Sequence, residues 1–257
     1  AAQQLQSAAQ QAQQAADQIK QQQMAAEMAA KVEELSQKQK ALLATTQRIH
    51  DTLQRKTLTP TELRELGQLA SRQRSLEQIT NDTADAFPSP NFKRALKTTS
   101  TQMTPATRNL NNDQPDTGND TQHAQRRASQ SLDIIAKALR QQAKGGKPEG
   151  EQENAQNEQN PQNSPPPSPQ NAQEYAALGD LILAQGQQEQ IRQETAKVDK
   201  SRQNNPDKSL SNTQQKQTEQ LSGDQQETHD ITENAGQQLQ TIQGAKEAIQ
   251  QATQAMR

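Results

Sequence analysis

A regular alternation of three- and four-residue steps constrains the fold of this chain more than any other feature of its sequence. The first series of such positions is Met28, Val32, Leu35, Gln39, Leu42, Thr46, Ile49 and Leu53. The second series is Leu66, Leu69, Gln73, Leu76, Thr80, Thr83 and Phe87. This spacing places each series on one stripe of an α-helix, the seam along which helices pack in coiled coils. The sequence therefore predicts a hairpin of two helices over about 28–87.

Capping and breaking residues set the expected limits of the helices. Because neither Gly nor Pro occurs before Pro60, a first helix is expected to run from the N-terminus to about Arg55. Thr59, Pro60 and Glu62 form the pattern of a capping box with proline at the first helical position, which starts the second helix. Further helices are expected at about 91–110, 121–143 and 172–202, and from about 209 onward.

Residues 144–171 differ in composition from the rest of the chain. Gly, Pro, Glu, Asn and Gln dominate there, and residues 164–169 read Ser-Pro-Pro-Pro-Ser-Pro. Such a segment cannot build a core and is expected to be a disordered linker. We therefore expect a helical module at 1–143, the linker at 144–171, and a second module at 172–257 with its own hairpin at about 172–240.

The seam pattern returns after the linker. The matching positions are Gln188, Ile191 and Thr195 for the first helix of the hairpin, and Leu221 and Gln225 for the second. The first match is offset by 149 residues and the second by 152, so the difference falls in the turn between the helices, where insertions cost least. This pattern predicts an internal duplication of one helical hairpin.

The short turn before Pro60 makes the two helices antiparallel neighbours. Folding the chain at that turn predicts that Leu42 lies opposite Gln73 and that Gln39 lies opposite Leu76. In the second hairpin, Ile191 would face Gln225. A buried amide without a partner costs about 1–3 kcal/mol. Two interpretations are open: the polar seam residues specify the register, or they belong to a loose and wet seam.

The apolar content of the chain limits what one hairpin can do alone. Only 28% of the residues are hydrophobic, against roughly 45–50% with Gly included in a typical domain. The predicted hairpin therefore needs further helices to cover it, from this chain or from another. The candidates within the chain are Leu96, Met103, Leu110, Leu132, Ile135 and Leu139.

Several functional classes are disfavoured by residues that the chain lacks. It has no Cys, and its three His are far apart, so thiol chemistry is excluded and a zinc site is not expected. No phosphate-binding loop, nucleophile elbow or His-Glu-x-x-His motif occurs. The 28 basic and 30 acidic residues are balanced and only three residues are aromatic, which argues against nucleic acid. We expect no enzyme activity, cofactor, small-molecule substrate or transmembrane span.

Two further stretches carry a resemblance to known proteins. Residues 69–80 read Leu-Ala-Ser-Arg-Gln-Arg-Ser-Leu-Glu-Gln-Ile-Thr, and residues 124–133 read Ala-Gln-Arg-Arg-Ala-Ser-Gln-Ser-Leu-Asp. With the duplicated halves around a Pro-rich linker, the chain resembles the Gln/Ala-rich repetitive helical regions of large uncharacterised bacterial proteins, often predicted to be envelope-associated. That resemblance implies an extracytoplasmic helical region in the bacterial cell envelope or periplasm, within a longer polypeptide.

The sequence as a whole predicts an all-α fold of elongated antiparallel hairpins, coiled-coil-like and duplicated. The expected role is a non-enzymatic spacer or scaffold whose seams pair with partner helices or with further copies of the chain. Two alternatives are a largely disordered low-complexity polypeptide and a peripheral membrane binder acting through the Ala/Gln-rich residues 1–30.

Overall fold

The computed structural model describes residues 2–55, 57–144, 169–203 and 209–255. Those ranges contain no strand and form six α-helices, which confirms the all-α prediction. The helices are α1 (Ala2–Arg55), α2 (Pro60–Asp85), α3 (Pro90–Leu110), α4 (Asn119–Ala143), α5 (Pro169–Gln203) and α6 (Asn212–Ala255). Most of the predicted linker, residues 145–168, lies outside the described residues. Its last residues, 169–171, are instead the first turn of α5, since proline fits the first helical position.

Reciprocal side-chain caps start two of the helices. At α2 the backbone N–H of Glu62 donates to Thr59 Oγ1 at 3.3 Å, and the N–H of Thr59 donates to Glu62 Oε2 at 2.8 Å. The predicted capping box is therefore confirmed. At α6 the same exchange joins Ser211 and Gln214, at 2.8 and 3.3 Å, so this helix begins at Asn212 and not near residue 209.

The chain divides into two compact units. One unit comprises residues 1–27 and 138–257, and the other comprises residues 28–137. This division does not coincide with the expected modules at 1–143 and 172–257, because α1 and α4 each contribute to both units. Whether residues 1–143 fold as one module stays a prediction.

The unit of residues 28–137 is an antiparallel bundle of four helices. The last part of α1 is tied to α2 by the Gln39–Gln73 side-chain bonds, and α3 returns along α2. The hydroxyl of Ser131 in α4 donates to Gln102 Oε1 of α3 at 2.9 Å, and Ser36 ties α1 to α4. Each helix therefore packs beside the next in the chain, and α4 closes the bundle against α1.

Large apolar side chains from all four helices fill the core of this bundle. The buried members include Val32, Leu35, Leu42, Ile49, Leu69, Leu76, Phe87, Phe92, Leu96, Met103, Leu110, Leu132 and Ile135. The rings of Phe87 and Phe92 lie 6.1 Å apart where α2 gives way to α3. The apolar residues of α3 and α4 that the sequence offered as cover are thus buried, and Leu139, which belongs to the other unit, is buried as well.

The other unit contains the antiparallel hairpin of α5 and α6. Its buried residues include Ala177, Leu183, Ala184, Ile191, Leu221, Thr228, Ile231, Ala235 and Ile242. Several of them recur at intervals of seven residues, as at 221, 228, 235 and 242. This is the spacing that keeps one stripe of a helix facing a partner. The N-terminal half of α1, which buries Ala25, belongs to the same unit.

Candidate functional site

The candidate site is a pair of glutamines that clasp each other across the hairpin of α1 and α2. Gln39 Nε2 donates to Gln73 Oε1 at 3.2 Å, and Gln73 Nε2 donates to Gln39 Oε1 at 2.9 Å. Both side chains are completely buried. Each amide offers a donor and an acceptor, so two facing amides satisfy each other in a way that neither could opposite an apolar side chain.

This clasp corrects the register that the sequence predicted. We expected Gln39 opposite Leu76 and Leu42 opposite Gln73, whereas Gln39 is bonded directly to Gln73. The helices are therefore displaced by one seam position from the predicted pairing. The physical reason is polar satisfaction: in the predicted register both amides would face leucines, and each unpaired amide would cost about 1–3 kcal/mol.

A third glutamine, Gln125 of α4, completes a polar layer across the bundle. Its Nε2 donates to Gln73 Oε1 at 3.0 Å, so that oxygen accepts from two amides. Gln125 is fully buried, and its own Oε1 has no hydrogen-bond partner. Sequence reasoning missed Gln125. It could have been found by extending the seam pattern of the sequence to α4.

The seam threonines satisfy their hydroxyls within their own helices. Thr46 donates to the carbonyl of Leu42 at 2.9 Å, and Thr80 donates to that of Leu76 at 2.8 Å. Both threonines are fully buried. Returning the hydroxyl to the carbonyl one turn back lets a polar residue occupy a core position without a partner on another helix.

The hairpin of α5 and α6 carries the same clasp. Gln188 Nε2 donates to Gln225 Oε1 at 3.3 Å, and Gln225 Nε2 donates to Gln188 Oε1 at 3.0 Å. Here too the register is displaced by one seam position, since Ile191 was expected opposite Gln225. Unlike the first pair, both glutamines are exposed.

The other predicted seam residues fall into three groups of exposure. Those that are buried are Val32, Leu35, Leu42, Thr46, Ile49, Leu69, Leu76, Thr80, Phe87, Ile191 and Leu221. Those that are half-buried are Met28 and Leu66. Leu53, at 46%, and Thr195 are exposed, and the Thr195 hydroxyl donates to the carbonyl of Ile191 at 2.8 Å. The first hairpin thus buries nearly all of its seam, and the second buries less of it.

A carboxylate on α4 joins α4 to α1 beside the glutamine layer. Asp133 Oδ1 accepts from Ser36 Oγ at 2.5 Å and from Lys40 Nζ at 2.8 Å. Ser36 is completely buried, whereas the Asp133 and Lys40 side chains are about half exposed. This contact fixes α4 along α1 about two helical turns beyond Gln125.

A second carboxylate, that of Glu77, joins α2 to α3. It accepts from the hydroxyls of Thr104 at 2.9 Å and Thr107 at 2.6 Å, while Ser100 donates to the backbone carbonyl of Glu77 at 3.1 Å. Neither carboxylate was singled out in the sequence, because acidic residues in helical patterns are usually solvated. Their partners lie on other helices, at least 27 residues away in the chain, so no local spacing reveals them.

Exposed carboxylates on the helices are held by neighbouring cations. The pKa of Asp85 is lowered by the hydrogen bond from Lys97 and then by that from Lys93. The pKa of Glu34 is lowered by the hydrogen bond and the charge of Lys38, one turn away. These pairs lie at the surface, where ion pairs stabilise a fold only modestly.

The arrangement offers hydrogen-bonded contacts between helices. Across the described ranges, no three His, Asp or Glu side chains are grouped so as to hold a metal ion. None of the helices in those ranges is long and apolar enough to cross a membrane. No family model, no curated protein and no solved structure matches this chain.

Proposed function

We propose that the chain is a non-enzymatic helical scaffold, a spacer that holds its length and orientation and pairs with protein helices. The observation that supports this most is the reciprocal glutamine clasp, which occurs in both hairpins. A buried polar residue at a seam position selects one register among those that an apolar stripe would permit. Fixing the register is what a spacer of defined geometry requires.

We further propose that the two hairpins descend from one ancestral unit. The sequence match relates Gln39 to Gln188 and Gln73 to Gln225, and these are the residues that bond to each other within each hairpin. The agreement supports duplication because the match depends only on the spacing of residues along the chain, and the hydrogen bonds are independent of it. The seven-residue recurrence of buried positions in α6 supports coiled-coil-like packing.

The cell envelope or periplasm of a bacterium remains the proposed location. Its support is the resemblance of residues 69–80 and 124–133 to Gln/Ala-rich envelope-associated regions. A protein partner, either a partner helix or a further copy of the chain, suits a seam with few large apolar residues better than a small-molecule ligand does.

Circular dichroism and sedimentation velocity on the full chain test the proposal. The expected result is a highly helical chain that melts cooperatively. A low-helix chain, or a melt without cooperativity, would overturn the scaffold in favour of the disordered alternative.

Membrane-surface binding is a second candidate function, and it is favoured by two exposed apolar side chains, Ile19 (55%) and Met24 (39%). Flotation with anionic liposomes tests that candidate, and a scaffold protein is expected to stay at the bottom of the gradient.

A further inference from the structure

The buried layer of glutamines in the four-helix unit leaves one strong acceptor unsatisfied. Gln125 is completely buried, and its Oε1 has no hydrogen-bond partner within the described part of the chain. The other two amide oxygens of the layer are satisfied, since Gln73 Oε1 accepts from two amides and Gln39 Oε1 accepts from one. A buried carbonyl oxygen without a donor destabilises the fold, so a group that donates to Gln125 Oε1 would recover that free energy.

Turning the amide of Gln125 round does not supply the donor. Its Nε2 donates to Gln73 Oε1 at 3.0 Å. With the two ends of the amide exchanged, Gln125 Oε1 would face Gln73 Oε1, and two acceptors cannot bond to each other. The existing bond therefore fixes the orientation of the amide, and the donor has to come from outside the three glutamines.

Two buried hydroxyl oxygens near Gln125 are also able to accept. Thr121 lies one helical turn before Gln125 on α4, and its hydroxyl donates to the carbonyl of Asp116 at 2.8 Å. Thr46 of α1 donates in the same way to the carbonyl of Leu42 at 2.9 Å. Both threonines are completely buried. Because each hydroxyl has already given its hydrogen to a carbonyl, its oxygen serves any further neighbour only as an acceptor.

The antiparallel packing of α1 and α4 brings these two threonines to one level of the bundle. His50 Nδ1 of α1 lies 3.3 Å from Thr117 Oγ1, just before α4. Four residues back along α1 and four residues on along the chain lead to Thr46 and Thr121. Side chains on a helix lean toward its N-terminus, so the side chain of Gln125 leans toward this level. Three acceptor oxygens thus converge in the core.

We infer that one water molecule is bound in the core between these acceptors. It donates one hydrogen to Gln125 Oε1 and the other to Thr121 Oγ1, with the hydroxyl oxygen of Thr46 facing the same site. Two bonds lie within the two to four that buried waters typically make, and a water, which has two hydrogens, suits a site composed of acceptors. The small buried side chains of Thr46, Thr121 and Ala124 leave it more room than leucines would.

Oxygen-17 relaxation dispersion of the solvent, measured on the full chain, tests the water site by counting long-lived internal waters. Gln125→Met keeps the volume but removes the acceptor, so it is expected to hold one water fewer than the wild type. The double variant Thr46→Val/Thr121→Val removes both hydroxyl acceptors and is also expected to hold one fewer. Thr80→Val is the matched control, because Thr80 is equally buried and bonds to its own helix at 2.8 Å but lies beside Met103, and its count should equal that of the wild type.

Equal counts for the wild type and Gln125→Met would refute the water site. Loss of a water from Thr80→Val as well would refute it too, because the loss would then follow from removing any buried hydroxyl. Circular dichroism shows whether each variant retains the fold. A crystal structure of the wild-type chain decides independently of the variants: a water within hydrogen-bond distance of Gln125 Oε1 supports the site, and density without one overturns it.

Discussion

Replacing Gln39 by leucine removes one half of the buried clasp. Gln73 then loses the acceptor for its Nε2 and keeps only the bond that Gln125 donates to its Oε1. The stranded donor is completely buried, and such a group costs about 1–3 kcal/mol. The Gln39→Leu variant is therefore expected to lose about 1–3 kcal/mol of unfolding free energy, measured as a lower urea midpoint by circular dichroism.

The triple variant Gln39→Leu/Gln73→Leu/Gln125→Leu removes the whole polar layer. No amide is then stranded, and the unpaired Oε1 of Gln125 disappears as well. The triple variant is expected to recover the stability lost by Gln39→Leu, or to exceed that of the wild type, because replacing a complete buried polar group with apolar residues is often neutral or stabilising. The expected loss is in specificity, seen as broadened amide resonances or mixed oligomeric states.

The matched control comes from the second hairpin. Gln188→Leu breaks the equivalent pair at an exposed position, where water can replace the lost partner. Its effect should stay within about 0.5 kcal/mol, as for most surface substitutions. The reasoning fails if Gln39→Leu is as stable as the wild type, or if Gln188→Leu costs as much as Gln39→Leu.

Three further predictions concern contacts outside the clasp. Thr59→Ala removes the capping box of α2 and is expected to lower the unfolding free energy by about 1 kcal/mol in urea titrations, whereas Thr59→Ser should retain most of it. Glu77→Gln removes the negative charge from both acceptors and replaces one acceptor oxygen by an NH2 donor, so the urea midpoint should fall by the equivalent of about 1–2 kcal/mol; an unchanged midpoint would show that the bonds from Thr104 and Thr107 add nothing. Since the pKa of Asp85 is lowered in the folded state, its contribution to stability is present above the unfolded pKa and is lost as the pH falls through the folded one. In a carboxyl NMR titration, Lys97→Gln should raise the pKa of Asp85 toward its ordinary value, and an unshifted pKa would contradict the assigned cause.

Local signals in the sequence located the helices well. The Thr59–Glu62 cap and the absence of breakers before Pro60 placed the limits of α1 and α2 to within a residue or so. Such signals act within one turn of helix, so the sequence contains all the residues that take part. The start of α6 was missed by three residues, although Ser211 and Gln214 have the spacing of a capping box.

The register of the helices and the buried layer of glutamines could not be predicted from local signals of this kind. A seam in which Gln, Thr and Leu alternate allows neighbouring registers that differ by one seam position, and the choice depends on which polar groups meet. The amide of Gln73 is satisfied by residues from two other helices, Gln39 and Gln125, and the second lies 52 residues away in the chain. Pairing across such distances is a property of the folded bundle and not of any local spacing.

The two clasps explain how a chain with few large apolar residues can build two hairpins. An apolar seam pair exposed on a surface would add to an apolar patch, whereas a buried polar pair without partners would be costly. Two glutamines that satisfy each other avoid both problems, because their bonds are internal to the pair. The same kind of glutamine pair therefore occurs where α4 covers it, at Gln39 and Gln73, and where it is exposed to solvent, at Gln188 and Gln225. A pair of glutamines can thus serve in a hairpin seam whether its surroundings are buried or exposed.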